Sequence, residues 1–159
     1  LQSIAIPWIN TKAAPFGAMI ARKEYAQLDR VFFQASRQAI AVCVAGGLAL
    51  WAGVVYLNWA HLPIAHRLLA PTTLGILLLT VPINVIVFAE ATYLRAHKQE
   101  KFLLPSVLGA ILVGSSTYFL GKPYGAFGVV TGSVLVGIFM GLPLGTYLFM
   151  KYRRLWHAA

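Results

Sequence analysis

Between Thr72 and Leu94 the chain runs for 23 residues with one formal charge, Glu90, and then breaks into Arg95-Ala96-His97-Lys98-Gln99-Glu100-Lys101. At the helical rise such a run extends roughly 34 Å, enough to cross the hydrocarbon core of a bilayer. Lys and Arg packed directly after a span mark a loop retained on the cytoplasmic side, so this single loop orients the rest of the chain.

The expected solvent is lipid. With 59% hydrophobic and only 11% charged residues, and a positive mean hydropathy, the chain cannot hide its apolar surface in one water-soluble core. The net charge of +9 then reads as topology. No basic stripe is interleaved with stacking aromatics, so membrane lipid and not nucleic acid is the expected partner. Cys43 stands alone in an apolar run and supplies neither a disulfide framework nor a metal site, and no cofactor is expected.

Taken in order, residues 1–10 read as the tail of a truncated span, with Pro7 and Trp8 near an interface, and the chain as a fragment. Leu1 to Ile9 has neither the basic start nor the cleavage site of a signal peptide. Residues 11–38 form a mixed, cytoplasmic amphipathic segment. Tyr25, Leu28, Phe32 and Ala35 recur at steps of three and four, while Gln27, Arg30, Gln34 and Arg37 occupy a second face. This pattern suits a helix lying on the membrane surface or the cytoplasmic extension of the next span. Residues 39–57 are a first complete span, ending in the interfacial aromatics Trp51, Tyr56 and Trp59. Residues 58–71 are an external loop. Its His61 and His66 are five apart, off one helical face and without further ligands, so no metal is expected there.

The second span, 72–94, carries most of the polar interest. Pro82 removes a backbone donor and frees the carbonyl of Leu78, and Thr80 and Asn84 lie four apart on one stripe beside that break. The pair can line a cavity or satisfy a neighbouring helix. Glu90 is costly deep in lipid, by roughly 2.5 to 3.5 kcal/mol, which calls for a partner or a watery setting. It is close enough to the loop to pair with Arg95, His97 or a lysine, or else to act as a functional carboxylate. After the cytoplasmic loop 95–101 comes a third span, 102–120, with Ser106, Ala110 and Gly114 at steps of four. The breakers of 121–125 make an external turn. The fourth span, 126–150, holds Gly128 and Gly132 and then Gly137, Gly141 and Gly145, two small-residue series expected to pack helices closely. A basic, aromatic cytoplasmic tail, 151–159, closes the chain.

The fold expected is therefore an all-α integral membrane protein with four transmembrane helices, preceded by the truncated span and the amphipathic segment. Eleven of the Lys and Arg residues fall on the inside of this topology and two, Arg67 and Lys122, outside, which places the C-terminus in the cytoplasm.

Several stretches resemble a known family. Tyr93-Leu94-Arg95-Ala96-His97-Lys98-Gln99-Glu100-Lys101-Phe102, Ser116-Thr117-Tyr118-Phe119-Leu120-Gly121 with Tyr124-Gly125-Ala126, and Gly141-Leu142-Pro143-Leu144-Gly145-Thr146 look like the C-terminal region of O-antigen and polysaccharide flippases. Asn10-Thr11-Lys12-Ala13-Ala14-Pro15-Phe16-Gly17 and Leu28-Asp29-Arg30-Val31-Phe32 look like the cytoplasmic loop entering that region. These proteins belong to the multidrug/oligosaccharidyl-lipid/polysaccharide exporter superfamily. The resemblance implies a two-lobed carrier in a bacterial inner membrane, of which this chain is the last part and whose N-terminal lobe is missing here. It implies as substrate a polyprenyl-diphosphate-linked oligosaccharide moved by alternating access. In that setting Arg37 is expected at a diphosphate near the cytoplasmic entrance, Thr80 and Asn84 at sugar hydroxyls, and Glu90 as the charge coupling transport to a proton or ion.

Other classes stay open. One is a drug or metabolite exporter of the same superfamily, and another is a self-contained four-span small transporter or structural membrane subunit. An enzyme is not expected, because no nucleophile with a base, carboxylate pair or metal cluster lies at membrane depth.

Overall fold

The computed structural model describes residues 1–98 and 100–157, apart from the side chain of His66. Gln99 of the loop expected on the cytoplasmic side, residues 158–159 of the expected tail and the imidazole of His66 thus lie outside the described residues. What is described is helical, with no strand. The elements are α1 (Gln2–Asn10), α2 (Ala13–Ala21), α3 (Tyr25–Trp59), a short 3₁₀ turn (Pro63–Arg67), α4 (Pro71–Ala96), α5 (Leu103–Val136), a π-helical turn (Gly137–Gly141) and α6 (Leu142–His157).

Three stretches are long and apolar enough to cross a membrane: Tyr25–Trp59, Pro71–Ala96 and Leu103–His157. The third would measure roughly 80 Å if straight, and it is not. Gly125 leaves helical geometry at φ 57, ψ −140, a left-handed conformation that favours glycine because a Cβ would crowd the backbone. The chain folds back there, so that Ser116 sits against Gly132 and Leu120 against Gly128. Helical geometry continues through Lys122, Pro123 and Tyr124. The turn is accordingly confined to one residue, where the Gly-Lys-Pro-Tyr-Gly breakers suggested five.

Helix α4 is the centre of the bundle, in contact with α1, α2, α3, α5 and α6. Its six residues Ala89 to Leu94 are all buried, because at that end neighbours surround it on every side. Helix α3 is unbroken from Tyr25 to Trp59, so the amphipathic segment from Tyr25 onward extends the apolar stretch directly. Its stripe Leu28, Phe32, Ala35, Ala39 and Cys43 is buried, and it packs against protein, not on a bilayer surface. Phe32, Tyr93 and Phe149 meet one another edge-on or tilted, with ring centroids 5.0 to 5.1 Å apart, and Phe16 of α2 meets Phe32 and Tyr93 at 6.3 and 6.4 Å. Offset and edge-on aromatic pairs of this kind stabilise beyond their buried area. In α1, Ala5 and Ile9 are buried while Trp8 is exposed. The outward faces of α3 and α5, by contrast, are covered with exposed Leu, Val, Ile and Phe, as lipid-facing helices are.

Candidate functional site

A cavity of about 440 Å³ lies between α4 and the two limbs of the hairpin. One wall is the part of α4 around Pro82, where the helix continues through the proline. Pro82 lacks an amide, so the Leu78 carbonyl loses its helical donor. The carbonyl just before it, that of Leu77, accepts a hydrogen bond from the Thr80 hydroxyl at 2.6 Å. Thr80 and Asn84 both line the cavity, and the Asn84 amide makes no hydrogen bond among the described residues. The facing wall is the π-helical turn Gly137–Gly141, a geometry that widens a helix by one residue and recurs at functional sites. Ser106 and Ser133 add hydroxyls from the two hairpin limbs. Ser133 donates to the Val129 carbonyl at 3.0 Å, whereas Ser106 keeps its hydroxyl uncommitted among the described residues. The result is an apolar slot with a few converging polar groups, none of them charged. Such a surface suits a neutral polyol or amide better than an ion.

The glycines read as packing residues differ in what surrounds them. A Cβ on Gly128 would overlap the Leu120 carbonyl; on Gly132 it would come within 2.8 Å of Ser116 Oγ, and on Gly137 within 3.1 Å of Ile83. Gly145 gives way to Glu90, whose Oε2 would stand 3.0 Å from the added carbon. Gly141 is uncrowded, its nearest neighbours being 3.9 and 4.0 Å away.

Glu90 lies outside the cavity, buried between α4 and α6 at 6% exposure. Thr146 Oγ1 donates to its Oε1 at 2.9 Å, and its Oε2 has no hydrogen-bond partner among the described residues. The pairing with Arg95, His97 or a loop lysine that its sequence position suggested is not formed. Arg95 instead reaches Glu100 at 3.5 Å, and His97 Nδ1 lies 3.2 Å from the Tyr93 carbonyl. Pairing failed because the helix carries Glu90 toward α6 while Arg95 projects from the exposed flank of the last turn. Arg37 is exposed on α3 and does not line the cavity. The structure therefore unites Thr80 and Asn84, and leaves Arg37 and Glu90 as separate positions.

One constellation was not foreseen. Asp29 on α3 receives a two-pronged bond from Arg153 of α6, with Nε at 3.1 and 3.0 Å from its two oxygens, and the Tyr93 hydroxyl of α4 donates to it at 3.0 Å. His157 Nε2 is 3.0 Å from the same hydroxyl. That proton being given to Asp29, the imidazole completes the chain as donor. Tyr25 stacks on His157 at 4.8 Å and Trp156 on His97 at 3.9 Å. A signal did exist: Asp29 falls between Tyr25 and Phe32 on the apolar stripe of α3, and an acid on a buried face requires a partner. No protein-family model, curated protein or solved structure matches the chain.

Proposed function

We propose that the chain forms part of one lobe of an alternating-access carrier that moves a polyprenyl-diphosphate-linked oligosaccharide outward across a bacterial inner membrane. The observation that carries this reading is the uncharged, mainly apolar cavity, with a few converging hydroxyl and amide groups, between a proline-containing helix and a π-helical turn. A proline's missing donor and a π-helical turn each leave local backbone polarity at membrane depth, which a carrier can offer to a substrate. Thr80, Asn84, Ser106 and Ser133 offer the hydroxyl and amide groups that sugar hydroxyls require, and the volume suits one or two sugar units. In this reading α3, α4 and the two limbs of the hairpin make four crossings, with the Arg- and Lys-rich ends in the cytoplasm. Arg37, exposed where the apolar part of α3 begins, meets the diphosphate before the glycan enters. Glu90, with one oxygen unsatisfied, is the coupling charge.

A drug or metabolite exporter is the second reading, favoured by one feature: no residue lining the cavity is charged, whereas a diphosphate held inside it would want cations. The two separate in cells. Removing a flippase accumulates lipid-linked glycan on the cytoplasmic face; removing an exporter does not. In the full-length protein at normal abundance, Thr80→Val combined with Asn84→Leu is expected to lower glycan export about tenfold or more, as loss of buried polar contacts to a substrate does. Unchanged export in this variant, together with unchanged export in Glu90→Gln and Arg37→Ala, would remove the flippase reading.

A further inference from the structure

Where α5 begins and α6 ends, the two helices leave a groove of about 480 Å³, with Leu104, Leu108, Leu144 and Leu148 along its length and Lys101 and Tyr152 at its rim. Residues ascend α5 and descend α6 away from that rim, so the apolar slot runs along both helices and the charges stay at one end. On the neighbouring face of α6 a second concavity, of about 570 Å³, adds Lys151 and Arg154 beside Tyr147. Two of these cations, Lys101 and Lys151, lie over aromatic rings. Lys101 Nζ is 5.2 Å from the centre of the Tyr152 ring, and Lys151 Nζ is 6.0 Å from the centres of both Tyr147 and Tyr152. Glu100, the acid on this rim, is already engaged by Arg95. Among the described residues none of the three cations is paired with a carboxylate.

A cationic rim over interfacial tyrosines, continuous with an apolar slot at bilayer depth, has the shape and charge of one ligand class. We propose that this is a binding site for an anionic diacyl phospholipid. The phosphate lies between Lys101, Lys151 and Arg154, where each cation near an anionic headgroup favours binding, and an acyl chain follows the leucines between the helices. A zwitterionic lipid fits the slot equally well and gains little at the rim. The site depends only on the chain being embedded in a membrane, and is independent of what the cavity carries.

The probe is dioleoylphosphatidylglycerol against dioleoylphosphatidylethanolamine, with retention by the intact detergent-solubilised protein read by native mass spectrometry. The expected result is a preference of about tenfold for the anionic lipid, lost in Lys101→Gln/Lys151→Gln/Arg154→Gln and kept in Lys12→Gln/Arg22→Gln/Lys23→Gln, which removes equal charge elsewhere. Leu104→Trp fills the slot, leaves every charge in place and should also lower retention. Absence of a preference, equal losses in the two triple variants, or undiminished retention in Leu104→Trp would each overturn the site.

Discussion

His97 sits just past the end of α4, with its ring against Trp156 and its Nε2 buried and without a hydrogen-bond partner among the described residues. Burial holds its pKa below the ordinary value, the His157 charge acts in the same direction, and the bond to the Tyr93 carbonyl opposes them. The unfolded chain therefore takes up the proton first as pH falls. The stability that neutral His97 contributes is fully present above its ordinary value of 6.5 and is lost as pH drops below it. Thermal unfolding of the detergent-solubilised protein between about pH 7.5 and 5.5 should show a steeper fall in Tm for the wild type than for His97→Phe, which keeps the stack and cannot titrate. Equal slopes would mean that other groups set the acid response. Asp29, Arg153, Tyr93 and His157 are nearby, and the difference between the two proteins isolates the single imidazole from them.

At the scale of elements, the hairpin is held by absence of side chains. Gly128 and Gly132 bring the α5 limbs together closely enough for backbone and hydroxyl to touch, the contact that replaces hydrophobic association in lipid. Gly53 of α3 has nothing within 4 Å of an added Cβ. One substitution should accordingly have opposite signs at the two places. Gly53→Ala is expected to stabilise by about 0.5 to 1 kcal/mol, through the lower backbone entropy of the unfolded chain. Gly132→Ala is expected to destabilise by about 1 to 3 kcal/mol, because the methyl must displace Ser116. Denaturant titration of both variants checks the pair, and a stable Gly132→Ala would show that the limbs can separate without cost. Of the two small-residue series, the spacing of Gly128 and Gly132 pointed to this surface, whereas Gly137, Gly141 and Gly145 lie along α4. Spacing could not indicate that Gly141 is uncrowded, since it says which residues share a stripe and not how near the neighbour comes.

Across the whole molecule, packing is concentrated at one end. Phe16, Phe32, Tyr93 and Phe149 form the best-buried cluster, and directly beside it Asp29, Arg153, Tyr93 and His157 tie α3, α4 and α6 together. The opposite end, from Tyr118 to Phe127, exposes Tyr118, Phe119, Tyr124 and Phe127. Asp29→Asn leaves Arg153 with no carboxylate at its two nitrogens, and should lower stability by about 1 to 3 kcal/mol, as removal of one partner from a half-buried, hydrogen-bonded pair does. A loss below about 0.5 kcal/mol, the scale of a surface pair, would show that the aromatic cluster alone holds this end.

The sequence by itself determined the helical class and where the long apolar stretches lie. Length and uninterrupted apolarity require helices where Thr72 to Leu94 lies, the heptad-like stripe through Leu28, Phe32 and Ala35 marks a buried face, and Gly125 among its breakers marks the reversal, because these depend on local geometry and transfer free energy alone. Thr80 and Asn84 were legible as a pair for the same reason, being one helical turn apart. Only the tertiary structure decided what each polar group meets. Glu90 faces Thr146, 56 residues away, instead of Arg95 one turn on, and Asp29 meets Arg153 across 124 residues. The partner of a buried charge is chosen by which helices the fold brings together, and periodicity along one helix carries no record of that choice.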